Sequence, residues 1–413
     1  MARIDALPKV LGCKIFARDL RAPDIKGRAD AGDEDWGLTT FHALLLRSPY
    51  CDRSFDGVDL DVAKGLQATK AFTRYGDRFI DKLADPANPE SYEMDFAHLL
   101  FGQSKDRTRD GVDLFVDVGT TAEYVGQPVA MLLFDDVRHY LDAEREAVEN
   151  SPVLRFARPA ADSATSFEAT DVISGALDRW LGTGIEPAES KRYGSIRRYS
   201  GMTDGARCST VDKAFAQASF TLNLRTETPS VDPCFLEPEA ALGRLSNDGD
   251  RLRITLYLGT QSSEFDRKSI AKHVKRLRAS NVEIRNCHLG GGFGGRDFSL
   301  FPIYAAIAVL IGQGTPVRLA WDRYAQFLAG TKRHASCIDN TLALASNGDL
   351  LALRSRQVFD GGSQKDLSTA VGKLAALSGG GAYRIEHWDI RLAPLRNNGP
   401  LAGSMRGFGV PQV

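Results

Sequence analysis

Apolar and polar residues alternate along Arg251 to Leu258, the period of a strand that presents one face to a core. Phe220 to Thr228 reads as a strand after the helix Val211 to Ala218, and Glu237 to Leu242 opens another. Shorter continuous apolar runs read as buried strands: Phe41 to Arg47, ended by Ser48-Pro49; Val129 to Phe134; Pro316 to Trp321; and Trp388 to Pro394. Helical spacing marks Val137 to Val148 behind the capping pair Asp135-Asp136, Val211 to Ala218, Glu264 to Leu277 behind Ser262-Ser263, and Leu367 to Leu377. The longest apolar run, Ile303 to Ile311, suits a buried helix. Asn347-Gly348-Asp349 inside Leu342 to Val358 predicts a hairpin. At the N-terminus, Asp5-Ala6 and Lys9 to Gly12 followed by Phe16 to Asp19 suggest strand, glycine turn and strand. Two stretches lack such order. Phe79 to Asp113, with Pro86 and Pro89, reads as an insertion, and residues 156–205 read as a connection with solvated charges at Lys191-Arg192 and Arg197-Arg198.

The tightest constraint lies where the strand Val282 to Leu289 runs into Gly290-Gly291-Gly292-Phe293-Gly294-Gly295-Arg296-Asp297, ahead of an apolar helix expected to start near Phe298. Five glycines there permit left-handed backbone and let another molecule reach the main chain. The helix N-terminus beyond would suit an anionic oxygen. Gly290-x-Gly292-x-x-Gly295 also fits a dinucleotide fingerprint, with Asp322 at the end of a later strand where a ribose-binding acid would stand. A second strand tip, Gly259-Thr260-Gln261, is placed to open at the same sheet edge.

Composition narrows the classes. The 413 residues leave room for two or three domains, and 43% hydrophobic with 25% charged residues is an ordinary globular balance. A net charge of −1 gives no reason to expect nucleic acid, and no apolar run is long enough to span a membrane. The first residues lack the apolar core of a secretion signal, so a cytoplasmic location is expected. Six cysteines and seven histidines are scattered, with no C-x-x-C and no H-E-x-x-H, so neither an iron–sulfur cluster nor a protein-ligated metal is expected here.

Three stretches in order, Gly259-Thr260-Gln261, Gly290 to Arg296 and Arg406-Gly407-Phe408-Gly409-Val410-Pro411-Gln412, match the xanthine dehydrogenase/aldehyde oxidase family, and the chain resembles its molybdopterin-binding large subunit. Leu46-Arg47-Ser48-Pro49, Tyr124-x-Gly126-Gln127-Pro128-Val129-Ala130 and Leu236-Glu237-Pro238-Glu239 extend the resemblance over nearly the whole chain. It implies an α+β / α/β architecture: a hammerhead-like α/β domain over 1–155, a connecting segment over 156–205, and the first, incomplete molybdopterin-binding domain over 206–413. It also implies hydroxylation of an aldehyde or N-heterocycle with water as oxygen source, on molybdopterin or its cytosine dinucleotide form, the pterin holding the metal.

By position, the resemblance makes Gln261 a hydrogen-bond donor to an oxo ligand, a role whose loss costs on the order of a hundredfold in rate. It sets Gly292, Phe293 and Gly294 beside the metal and Arg406 and Gly407 at the cofactor. Phe408 would stack on a flat substrate, and Asp297 stands where xanthine-oxidising members carry a substrate-contacting glutamate. The family's patterns are not all kept: Tyr50-Cys51 and Val231-Asp232-Pro233-Cys234 replace histidine-bearing segments, and Lys373 is the nearest residue to an expected substrate arginine. Family members continue well past the Pro-Gln at which this chain stops. The general-base glutamate is therefore expected in a second molybdopterin-binding half or subunit, and this chain alone is expected to be inactive. Electrons are expected to leave through a [2Fe-2S] subunit and an FAD subunit. The alternatives are an NAD(P)-dependent oxidoreductase using Gly290 to Gly295, and a non-catalytic scaffold subunit.

Overall fold

The computed structural model describes residues 11, 16–26, 28, 30–31, 35–75, 78–82, 114–149, 153–159, 169–185, 187, 190–194, 204–248, 251–274, 277–363 and 367–413. Its strands are β1 Phe41–Arg47, β2 Phe55–Val58, β3 Lys70–Tyr75, β4 Arg78–Lys82, β5 Pro128–Phe134, β6 Leu154–Phe156, β7 Lys191–Gly194 and β8 Phe220–Thr228. They continue with β9 Ala240–Asp248, β10 Arg251–Leu258, β11 Val282–Asn286, β12 Val317–Ala320, β13 Ser336–Leu344, β14 Leu350–Asp360 and β15 His387–Leu395. The α-helices are α1 Ala22–Ile25, α2 Leu60–Gly65, α3 Val137–Glu149, α4 Ala169–Thr183, α5 Asp204–Ala216, α6 Ser263–His273, α7 Phe301–Ile311, α8 Arg323–Ala329 and α9 Ser368–Ser378. None of them is long and apolar enough to cross a membrane.

These elements form two compact units. Residues 1–164 and 234–330 make the first, around an eight-stranded sheet ordered β11-β10-β9-β12-β1-β5-β3-β4. Only β10 with β11 and β1 with β12 run parallel. The parallel β1–β12 pair, Phe41 opposite Val317, places the N-terminal strands in the same sheet as the glycine stretch. That is why these contact units do not follow sequence-order boundaries near 155 and 206. On one sheet face lies α7, apolar on every side, with all 11 of its residues buried. Pro302 suits its first turn, where a missing N–H costs nothing. On the other face Ala17, Leu20, Ala22 and Ile25 pack against Ala240, Leu242 and Tyr257, while Tyr140 and Ala143 of α3 cover Val129, Ala130 and Phe134.

Residues 165–233 and 331–413 make the second unit, a five-stranded sheet ordered β7-β15-β14-β13-β8. Through Ile173, Leu177 and Trp180, α4 packs on Cys337, Val358 and Ala393. Val371 and Ala375 of α9 cover Ile338, Phe359 and Leu392 on the opposite face.

Most periodic segments fold as expected, including the hairpin of β13 and β14. Four differ. Ala17–Asp19 is a 3₁₀ turn, not a strand; Asp5-Ala6 and Lys9 lie outside the described residues. The segment expected as a loose connection holds α4 and β7, because Ile173, Leu177 and Trp180 recur at helical spacing and β7 completes the sheet beside β15. The insertion beginning at Phe79 starts inside β4; its residues 83–113 lie outside the described residues. Finally, β11 stops at Asn286 and α7 starts at Phe301, leaving a longer link around the glycines than the sequence suggested.

Candidate functional site

Two neighbouring strand tips build the site in the first unit. β10 and β11 are parallel, with Leu258 opposite Asn286, so the turns leaving them open side by side. The turn after β10 is fixed from within. Thr260 N–H donates to Asn286 Oδ1 at 3.2 Å, and Ser262 N–H donates to Thr260 Oγ1 at 3.0 Å. The Thr260 hydroxyl in turn donates to the carboxylate of Asp266, which is 1% exposed in the first turn of α6. Burial pushes this carboxyl up to about 7; the threonine bond opposes the shift, and Glu239 and Asp297 add to it. Gln261, between the two tied residues, is exposed.

The Gln261 side chain lies back on the glycine loop. Its Oε1 accepts from Gly294 N–H at 3.0 Å and Arg296 N–H at 3.3 Å. Both partners are donors, so the amide can sit only with its oxygen toward the loop, and Nε2 has no partner among the described residues. Glycine is required opposite it: a Cβ on Gly292 would fall 2.4 Å from Gln261 Oε1. The loop backbone is left-handed at three positions, with φ of 107° at Gly291, 51° at Phe293 and 89° at Gly294. A left-handed phenylalanine costs roughly 1–2 kcal/mol, so the surrounding contacts impose it. Phe293 is 48% exposed, and the N–H groups of Gly291, Gly292 and Phe293 have no hydrogen-bond partner among the described residues.

Beneath the loop sits Arg296, 2% exposed. Its guanidinium donates to Gly259 O at 3.0 Å and to the Glu237 carbonyl, pairs with Glu237 Oε2 at 3.2 Å, and lies 4.6 Å from the Phe235 ring centre. Glu237 Oε2 also accepts from Gly290 N–H at 2.9 Å. One buried ion pair thus joins the β10 turn, the start of the glycine loop and the segment before β9. Glu239, two residues on, is buried; burial raises its carboxyl, and Gln326 donates to it at 3.3 Å.

Arg406, Gly407 and Phe408 lie in the second unit. Arg406 is exposed, and its carbonyl accepts from Arg333 at 2.7 Å. Gly407, Phe408 and Gly409 are all left-handed, at φ 91°, 47° and 93°. A Cβ on Gly409 would lie 2.4 Å from Val371 O, so this turn packs directly on α9. Phe408 is half-buried against the Ile338–Phe359–Leu392 cluster, and Lys373 is exposed on α9.

The structure therefore brings Gln261, Gly292, Phe293 and Gly294 together, with Asp297 half-buried at the end of the same loop. The dinucleotide reading fails on three counts. The sheet is mixed rather than doubly wound and parallel. The helix does not spring from the glycines. Asp322 is used as the N-cap of α8, accepting from Ala325 N–H at 2.6 Å. Sequence reasoning assigned no role to Arg296, Glu237, Thr260 or Asp266. A charged residue directly after the last loop glycine was the available signal for Arg296; Asp266 gave none, since its partner lies six residues back across a turn.

The molybdopterin cofactor-binding domain model matches residues 198–413. Nicotinate dehydrogenase large molybdopterin subunit from Eubacterium barkeri is 27% identical over the whole chain and is matched over 81% of its own length. The xanthine dehydrogenase molybdenum-binding subunit from Escherichia coli is 29% identical over 53% of this chain and 28% of its own. Among solved structures, quinoline 2-oxidoreductase from Pseudomonas putida 86 superposes with a TM-score of 0.67 at 19% identity over 99% of this chain and 45% of its own. The aldehyde oxidoreductase from Desulfovibrio desulfuricans gives 0.70 at 16% over 100% and 40%.

Proposed function

Since the chain belongs to the molybdopterin cofactor-binding domain family and is an oxidoreductase component of the xanthine dehydrogenase type, we propose that its glycine loop and Gln261 form one wall of a molybdopterin site, completed by other polypeptide. The observation that carries this is the Gln261 amide, held by its oxygen to the loop so that its N–H groups remain to be donated. The residues present fit such a group. Gly292 leaves the amide room against bare backbone, and three successive loop N–H groups have no partner among the described residues.

When bound, the cofactor supplies a two-electron redox centre for hydroxylating an aldehyde or N-heterocycle carbon with oxygen from water. This chain's residues bind and orient. Gln261 Nε2 donates to an anionic oxygen of the group and needs no proton transfer to do so. Phe293 shields the loop side from water. Asp297 meets substrate in the first unit; in the second, Arg406 offers a fork of donors to an anionic oxygen and Phe408 an aromatic face to a flat ring. The general base, the [2Fe-2S] group and FAD come from partner polypeptides in the cytoplasm, and the nucleotide form of the pterin follows the partner that holds its tail. The chain spans about four-fifths of a relative named as a large molybdopterin subunit and under half of the solved structures it matches.

The test is metal analysis and pterin fluorescence on the chain purified alone and with its neighbouring subunits. Molybdenum and pterin should appear only in the assembled complex, and Gln261→Ala should keep both while losing about a hundredfold in turnover. Stoichiometric molybdenum and turnover in the lone chain, or nicotinamide binding without molybdenum, would end this reading.

A further inference from the structure

On the sheet face opposite α7, the segment carrying the 3₁₀ turn Ala17–Asp19 and α1 lies over β9 and β12, while α3 lies over β1 and β5. Three guanidiniums meet between them. Arg21 Nη1 and Arg318 Nη2 donate to the same oxygen, the Arg18 carbonyl, at 3.3 and 3.0 Å, and Arg18 donates to the Trp321 carbonyl. Arg318 is 8% exposed, and its Nε is buried with no partner. His42 stands opposite Arg318 in the β1–β12 register, 5% exposed, and its Nδ1 is likewise unpartnered. Tyr140 and Glu144 of α3 face the arginines, the tyrosine hydroxyl donating to Glu144 Oε1 at 2.6 Å.

No carboxylate forms an ion pair with Arg18, Arg21 or Arg318 among the described residues: Asp24 caps the Arg21 main-chain N–H, and Asp19 and Asp136 are exposed. Glu144 is turned to Tyr140, and burial raises its carboxyl, which weakens it as a counter-charge. The surroundings already register the excess of positive charge. Burial together with Arg21 and Arg18 pushes Arg318 down to about 10, and burial, Arg318 and Arg21 push His42 down to about 4, so His42 is neutral. Three like charges converging on backbone carbonyls, with a buried donor left over, make an arrangement that an anion would stabilise.

We propose that the cluster of Arg18, Arg21, Arg318 and His42 binds a phosphate group, either the free ion or a phosphomonoester. The Arg318 Nε, the Nη groups and a His42 ring N–H then supply donors to the tetrahedral oxygens, and the anion ties residues 17–25 onto β12. The site involves none of the residues assigned to the molybdopterin wall, so its failure and the failure of that reading are separate results.

The experiment is calorimetric titration of the full chain, in its assembled form, with inorganic phosphate and separately with adenosine 5′-monophosphate, at ionic strength held constant with chloride. Hydrogen exchange over residues 17–25 is followed in parallel. Binding should be saturable, should slow exchange in that segment, and should weaken about tenfold or more in Arg318→Gln, as expected for losing a charge-assisted bond. Arg21→Gln, at a half-buried position, should weaken it in the same way and covers the case in which Arg318→Gln does not fold. Arg225→Gln, in the other unit, should leave it unchanged. Tighter binding of the nucleotide would identify the phosphomonoester as the ligand class, and tighter binding of phosphate the free ion. Absence of binding above the chloride background, or equal binding in wild type and Arg21→Gln, would overturn the proposal.

Discussion

Asp266→Asn tests how the Gln261 turn is held, and its effect can be worked from the buried carboxyl. The group ionises at 3.8 when unhindered and at about 7 in the folded chain. A raised folded value means that the folded state binds the proton more tightly. The stability that this group contributes is therefore fully present below about pH 4 and is lost as pH rises through about 7. At ~1.4 kcal/mol per pKa unit the full loss is roughly 4 kcal/mol, and local relaxation lowers it to about half of that in order-of-magnitude terms. Asparagine keeps the shape and an oxygen that can accept from Thr260, and it cannot ionise. Asp266→Asn should then match wild type near pH 4 and exceed it by ~2–4 kcal/mol at pH 8.

The assay is thermal unfolding of the full chain, in its assembled form, from pH 4 to 8, where each kcal/mol moves the midpoint by a few degrees. A variant that is no more stable than wild type at pH 8, or that gains equally at pH 4 and 8, would refute the reasoning. Hydrogen exchange at residues 259–262 adds the link to the site. Thr260→Val removes the hydroxyl from both its bonds and should raise exchange at Ser262, whereas Asp266→Asn should not.

Three further outcomes are expected. Gly292→Ala places a Cβ 2.4 Å from Gln261 Oε1, so it should break both amide–loop bonds and lower turnover of the complex about as far as Gln261→Ala does, with the pterin content by fluorescence and the global stability little changed. Glu237→Gln leaves Arg296 buried without its counter-charge and should cost ~3–5 kcal/mol in urea unfolding. Asp322→Ala removes the α8 cap and should cost ~1 kcal/mol by the same measurement, without altering pterin content.

What the sequence disclosed depended on the range of each signal. β10 was legible because period-two alternation is local, and the β13–β14 hairpin because Asn347-Gly348-Asp349 marks its turn; β8 forms as expected, yet Phe220, Leu222 and Leu224 stay exposed, so no core face marked it. The pairing of β1 with β12 was not legible, since parallel partners far apart in sequence leave no local mark, and with it went the composition of the first unit. In α4 the apolar residues Ile173, Leu177 and Trp180 are separated by small and polar ones, so a real helix read as a connector. At the site, glycine clustering exposed the loop and its neighbouring strand tip, yet the parts that hold it rigid, Arg296 on Glu237 and Thr260 on Asp266, are long-range or turn-crossing contacts between ordinary charged and polar residues.

The two glycine–phenylalanine–glycine turns join these threads. Phe293 and Phe408, one in each unit, both sit in left-handed backbone that phenylalanine rarely adopts, and each is followed by a left-handed glycine. At Phe408 the compensation is visible: the ring packs on the α9 cluster and Gly409 lets the turn sink onto Val371. At Phe293 much of the ring is in solvent, and the strain is held instead by the Gln261 bonds on one side and the Arg296 pair below. Folding alone gains little from keeping a large half-exposed ring in that conformation, since glycine would hold the turn without the strain. The proposed molybdopterin wall would supply a requirement on the ring's position at Phe293, whereas the Phe408 turn is also held by its packing in the fold.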